Sequence, residues 1–207
     1  MMAFIGLGNP GSSYAKTKHN VGFWIVNELA DRWDLSFRPG RGDYLFTERR
    51  LTGVSPSPRG SDGDNFEGVL LAKPTSGMNR SGIAVKEIRD HWDIRLSDLF
   101  VIVDDVDLPL GVMRIRPGGG DGCHKGMESI IYSVGTLQFP RIRVGIATSE
   151  QLRPAENYVL KPFRKRDESV AREMVRRVAD AVDSILSHGL QKTMSEYNRI
   201  GSEEKPA

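Results

Sequence analysis

The sequence predicts an α/β fold: a single domain with a mixed, twisted central sheet flanked by helices on both faces. Three observations carry that expectation. Short apolar runs alternate with amphipathic stretches along most of the chain. The run from Leu99 to Val103 is continuously apolar, as in a central strand buried on both faces. With 207 residues, 39% apolar and 27% charged, the chain is long enough to build one full core.

Taken in order, Met2 to Leu7 reads as a strand that delivers a glycine-rich turn, Gly6 to Asn20. Val21 to Trp33 then carries the chain away as an amphipathic helix. Tyr44 to Leu51 is a second strand. Thr52 to Asn65, rich in Gly, Ser, Pro and Asp, reads as a mobile surface loop inserted between strands. Phe66 to Lys73 is a third strand, closed by Pro74, which has no N–H to give a ladder. A helix follows Gly82, with Ile83, Ile88 and Trp92 expected on one face. The Leu99–Val103 strand is expected to stop at the turn D-D-V-D-L-P-L-G, Asp104 to Gly111. Val112 to Arg116 alternates apolar and basic residues, a strand with one exposed face. A glycine loop, Pro117 to Gly126, enters a short helix through Ile130 and Ile131, and Arg141 to Ala147 is another alternating strand. From Pro154 the pattern is helical, with Val170, Met174, Val178, Val182 and Ile185 recurring near helical spacing. Residues 1–200 are therefore expected to form one domain without repeats, and 201–207 a frayed tail.

Composition narrows the function classes. A formal net charge of +2 and a pI near 8.7 are too mild for a domain coated in nucleic-acid-binding charge, so any such contact must be a local patch. The single cysteine, Cys123, allows no internal disulfide and fits a reducing compartment. No basic-then-apolar leader opens the chain, and no apolar run approaches the roughly 20 residues of a bilayer span. The expectation is a cytoplasmic protein without membrane contact.

Gly6, Gly8 and Gly11 fit the G-x-G-x-x-G spacing of a dinucleotide-binding turn, with Glu28 or Asp31 about 20 residues on. That motif requires a helix to open inside the glycine run, so that its N-terminus faces pyrophosphate. Here Pro10 interrupts the run and mostly polar residues follow it. A nicotinamide-dependent oxidoreductase is therefore set aside.

In open α/β sheets, sites form beyond the carboxyl ends of strands. Asn9 follows the first strand, Asn79 the third, Asp104 ends the central one, and His124 and Lys125 lie in the later glycine loop. The segments bearing them resemble motifs of one family. G-L-G-N-P-G with Tyr14 and T-K-H-N (Thr17 to Asn20) is similar to the opening of bacterial peptidyl-tRNA hydrolases. K-P-T-S-G-M-N-R-S-G (Lys73 to Gly82), V-D-D-V-D-L-P-L-G (Val103 to Gly111) and G-G-G-D-G-C-H-K-G (Gly118 to Gly126) resemble the motifs that follow, in the same order. F-P-R-I-R-V-G-I and N-Y-V-L-K-P-F extend the likeness to about residue 163.

The resemblance implies cleavage of the ester joining a peptide to the 3′ ribose of tRNA, recycling tRNA from aborted translation. By resemblance His19 is the base, Asp104 holds its other ring nitrogen, and Asn9 completes the catalytic set. An imidazole titrates near neutrality and suits that task. Asn79, Met78 and Tyr14 map onto residues that hold the peptide and ribose ends, and Lys125 stands where the family has an asparagine. Gly77 replaces the family's usual aromatic, and Arg80 an apolar residue. The resemblance places Arg143 on an acceptor-stem phosphate; Arg153, beside Leu152 where the family has a lysine, and Arg141 are further phosphate candidates. It implies no cofactor, no metal and a monomer. Asp104, Asp105 and Asp107 also admit a divalent-cation reading, though no partner histidine adjoins them in sequence. Lys125 leaves open a second class of function, a relative with weakened catalysis that binds RNA, as in chaperoning or splicing. Arg114 and Arg116 read equally well as phosphate contacts or as the solvated face of a strand.

Overall fold

The computed structural model describes residues 1–50 and 68–199. The 52–65 insertion, the start of the third strand and the 201–207 tail lie outside the described residues. Among the described residues, seven strands form one mixed sheet in the order β2-β3-β4-β1-β5-β7-β6. They are β1 (Met2–Gly6), β2 (Arg38–Pro39), β3 (Tyr44–Arg50), β4 (Gly68–Pro74), β5 (Leu99–Pro109), β6 (Met113–Arg116) and β7 (Arg141–Ala147). The middle four, β4-β1-β5-β7, run parallel, and antiparallel strands close both sides.

The alternation of side chains along β5 shows why helices cover both faces. Phe100 and Ile102 point into a core shared with α1 (Val21–Arg32) and α5 (Glu168–His188), whereas Leu99, Val101 and Val103 point into one shared with α2 (Ser81–His91) and α3 (Lys125–Val134). Two short helices, α4 (Ala155–Val159) and α6 (Leu190–Tyr197), pack with α1 and α5. A strand buried on both sides can carry no polar alternation, which is the reason for its continuous apolar run.

Several sequence expectations change. β5 does not stop at Val103 but runs on through the acidic run to Pro109, eleven residues in all. Asp104 and Asp105 still pair with Val144 and Gly145, and the register slips only before Pro109 meets Ala147. The acids thus sit on a bulged strand end, where a bulge commonly re-aims side chains. On α2 the buried stripe is Ala84, Val85 and Ile88, and Ile83 lies outside it at 41% exposure. On α5, Ala171 is buried in place of Val170. The last helical stretch is two helices, because Gly189 adopts a φ of 81° between them.

The chain enters the sheet at β1, winds one way through β3 and β4, then crosses to β5 on the other side of β1. The order therefore reverses between β1 and β5, the position where open α/β sheets leave a crevice. One close approach shapes it. A Cβ on Gly22, at the start of α1, would come within 2.5 Å of the Leu7 nitrogen and 2.6 Å of the Ile102 oxygen. Only glycine lets α1 start directly against β1 and β5.

Candidate active site

The polypeptide between β1 and α1 makes a loop, then a single 3-10 turn at Lys18–Asn20, and α1 begins only at Val21. No helix opens within the glycine run, so its amides are not arrayed for pyrophosphate. The 3-10 turn instead carries His19 to the end of β5. His19 Nδ1 lies 2.9 Å and 3.0 Å from the two carboxylate oxygens of Asp104, which is 4% exposed.

A second imidazole reaches the same carboxylate. His124 Nε2 is 3.0 Å from Asp104 Oδ1, and the two rings stand 4.9 Å apart. Burial alone would raise the Asp104 pKa, but the charges of His19 and His124 and their hydrogen bonds outweigh it. The net result is a carboxyl held well below the usual carboxylate range. An ionised carboxylate only accepts, so both ring nitrogens facing it donate. The Met127 N–H donates to His124 Nδ1 at 3.3 Å, which matches the tautomer that turns an Nε2 proton to Asp104. With its proton on Nδ1, the neutral imidazole of His19 turns the lone pair of Nε2 to the far side.

Among the described residues, His19, Asp104 and His124 form the one group with metal-ligand spacing. The resemblance paired Asp104 with His19, and the fold adds His124 as a second partner. The Met127 N–H nevertheless leaves His124 Nε2 without a lone pair for a cation, so this donor set fits a hydrogen-bonded triad better than a coordination sphere.

Asn9 is pinned on three sides. The Asn20 side chain accepts from the Asn9 N–H at 2.8 Å and donates to its carbonyl at 2.9 Å. The Met78 N–H donates to Asn9 Oδ1 at 2.9 Å, so the Asn9 amide nitrogen is the end left available. Met78 is buried at 3% exposure, Asn79 beside it is exposed, and Gly77 holds a φ of 85°. Gly126 joins this wall to the triad: a Cβ there would meet Met78 Sδ at 2.6 Å and His124 Cε1 at 3.0 Å. Sequence reasoning placed no duty on Asn20, and His124 was marked only by its loop. A buried Asn after a turn and a helix-preceding histidine are both common, and neither advertises its partner.

The cleft is about 200 Å³, lined by His19, Asp104, the Gly120–Lys125 loop, Arg143, Arg153 and α4. Tyr14 is exposed on the loop before the 3-10 turn. Lys125 starts α3, its ammonium 3.0 Å from Glu128 Oε2 on the exposed side. Arg143 pairs with Asp105, and Arg153 Nη2 with Asp107 Oδ1 at 2.7 Å. Asp105 also accepts from the Asp107 N–H, ordering the bulge.

Arg141 requires a correction. It is 2% exposed, and its guanidinium donates to the carbonyls of Gly119, Gly120, Leu137 and Phe139. Burial, and then the neighbouring Arg143 charge, lower its pKa to about 10, so it stays charged at neutral pH. With its donors spent on the glycine loop, Arg141 holds that loop in place and is not disposed to meet a phosphate. Arg114 is likewise engaged, donating to the Asn198 carbonyl at 3.1 Å.

A doubly wound sheet with a carboxylate-held imidazole at its switch-point crevice defines an α/β protein equipped for general-base chemistry. A family model described as peptidyl-tRNA hydrolase matches residues 3–206. The peptidyl-tRNA hydrolase of Geobacillus thermodenitrificans is 38% identical over 198 residues, covering 96% of this chain and 100% of that one. That of Chloroflexus aurantiacus is 41% identical over 201 residues, covering 97% and 100%. The crystal structure of the Acinetobacter baumannii peptidyl-tRNA hydrolase superposes with a TM-score of 0.83 at 27% identity, over 96% and 94% of the two chains. The chain belongs to the peptidyl-tRNA hydrolase family. No described helix is long and apolar enough to cross a membrane.

Proposed function

We propose that this cleft hydrolyses the ester between a peptide and the 3′ ribose of tRNA, with His19 as general base. The observation that carries the reading is the His19–Asp104 contact, which leaves Nε2 as the basic nitrogen. In this account Nε2 takes a proton from water as the water attacks the ester carbonyl. The imidazolium so formed is stabilised by the Asp104 carboxylate, which stays ionised throughout. His124 keeps that carboxylate in line from the other side. The Asn9 amide nitrogen donates to the substrate, Asn79 and Tyr14 meet its ribose or peptide end, and Met78 packs beside it. The proton returns to the 3′ oxygen as the ester bond breaks.

Arg143 and Arg153 take acceptor-stem phosphates by exchanging Asp105 and Asp107 for phosphate oxygens, and affinity falls as salt rises. Lys125, at the cleft rim, is a third cation for the acceptor end. The single cysteine and the RNA substrate suit a cytoplasmic location, and a monomer is what the family resemblance implies. Incubation with N-acetylated aminoacyl-tRNA tests the function: free tRNA is expected to accumulate with multiple turnovers, and stoichiometric binding without release would refute it.

A further inference from the structure

Lys18 precedes His19 and is fully buried. Its ammonium donates to the Pro162 carbonyl at 2.9 Å, lies 3.4 Å from Glu150 Oε2 and sits 4.1 Å from the centre of the Tyr158 ring. Its main-chain N–H donates to the Lys161 carbonyl at 3.1 Å, and Thr17 bridges Pro162. Every one of these partners belongs to the arm that follows β7, residues 148–163. That arm also carries Arg153, and its α4 supplies Ala155, Glu156 and Val159 to the cleft wall. The arm is tied back in turn: the Tyr158 hydroxyl donates to the Ile146 carbonyl and accepts from the Thr148 N–H, while Glu150 also pairs with Arg164 at 3.0 Å.

Burial lowers the Lys18 pKa, and Glu150 acts to raise it again. Apolar residues in place of both Lys18 and Glu150 would avoid that desolvation, and replacing a buried ion pair as a whole is often neutral for stability, so stability alone does not call for a cation here. What a cation adds is direction, since it fixes which carbonyl, carboxylate and ring face the turn must meet.

We infer that Lys18 is a positioning residue, which sets the His19 turn against the 148–163 arm and so fixes the imidazole relative to the phosphate-binding wall. This inference rests on the hydrolase reading. Small displacements of a reacting group are costly: a shift of about 1 Å can lower a rate about 100-fold.

The test uses the full chain and N-acetylated aminoacyl-tRNA, with kcat and KM separated, and the same acyl ester on adenosine alone, which does not reach the arm. Lys18→Met is expected to lower kcat on both substrates by about 10- to 100-fold. It is expected to raise KM only for the tRNA substrate. Lys18→Arg, which keeps a cation for Glu150 and the Tyr158 ring, should recover most of kcat. If Lys18→Met does not fold, Glu150→Gln decides, with the same direction and a smaller effect. A folded Lys18→Met or Glu150→Gln protein with wild-type kcat and KM, changed only in Tm, overturns the inference. No turnover by the wild type would instead refute the hydrolase reading.

Discussion

At the scale of single residues, the account turns on one carboxylate shared by two imidazoles. The folded-state pKa of Asp104 is depressed, so its contribution to stability is complete above the unfolded value near 3.9 and is lost as pH falls toward the folded one. The stability advantage of wild type over Asp104→Asn should therefore shrink by about 1 kcal/mol between pH 5 and pH 3. Denaturant titrations at both pH values measure it, and an unchanged gap would mean that Asp104 is not held ionised. At saturating substrate Lys125→Asn is expected to cleave peptidyl-tRNA as fast as wild type or faster, because the Lys125 ammonium lies on the exposed side beside Glu128 and serves binding, not the chemical step. A large loss of rate in steady-state kinetics would give Lys125 a catalytic duty of its own. Arg141→Ala should act on stability, at about 2–4 kcal/mol, through the buried carbonyls it orphans. A Tm unchanged from wild type would contradict that.

At the scale of elements, local periodicity located almost every strand and helix that has an exposed face. Its failures have physical causes. The acidic run looked like a turn because carboxylates are rare in central strands, and nothing in the sequence reports that a bulge and two imidazoles accommodate them there. Ile83 and Val170 match a helical stripe by spacing yet stand on its margin, where a shift of one position exchanges core for solvent. β2 is two residues long and leaves no periodic signal at all. The His19–Asp104 contact was legible because motifs carry both residues. The site was illegible in other contacts that join distant segments, as between His124 and Asp104, or Lys18 and Pro162. The closeness of α1 to β1 and β5 predicts that Gly22→Ala destabilises by about 1–3 kcal/mol, read as a fall in Tm. Wild-type stability in that variant would show that the helix start can shift without cost.

At the scale of the whole molecule, a modest net charge of +2 means that the proposed tRNA contact must come from a local patch, for which Arg143 and Arg153 beside the cleft are the candidates. His19, the proposed base, and those two arginines line the same cleft, at the crevice where the strand order reverses. The most direct measurement of the central claim is kcat for release of free tRNA from N-acetylated aminoacyl-tRNA by His19→Ala beside wild type. The account predicts steady turnover by wild type and a loss of about 10²- to 10⁴-fold in the variant, with binding of tRNA retained. A His19→Ala protein that turns over at the wild-type rate would contradict it.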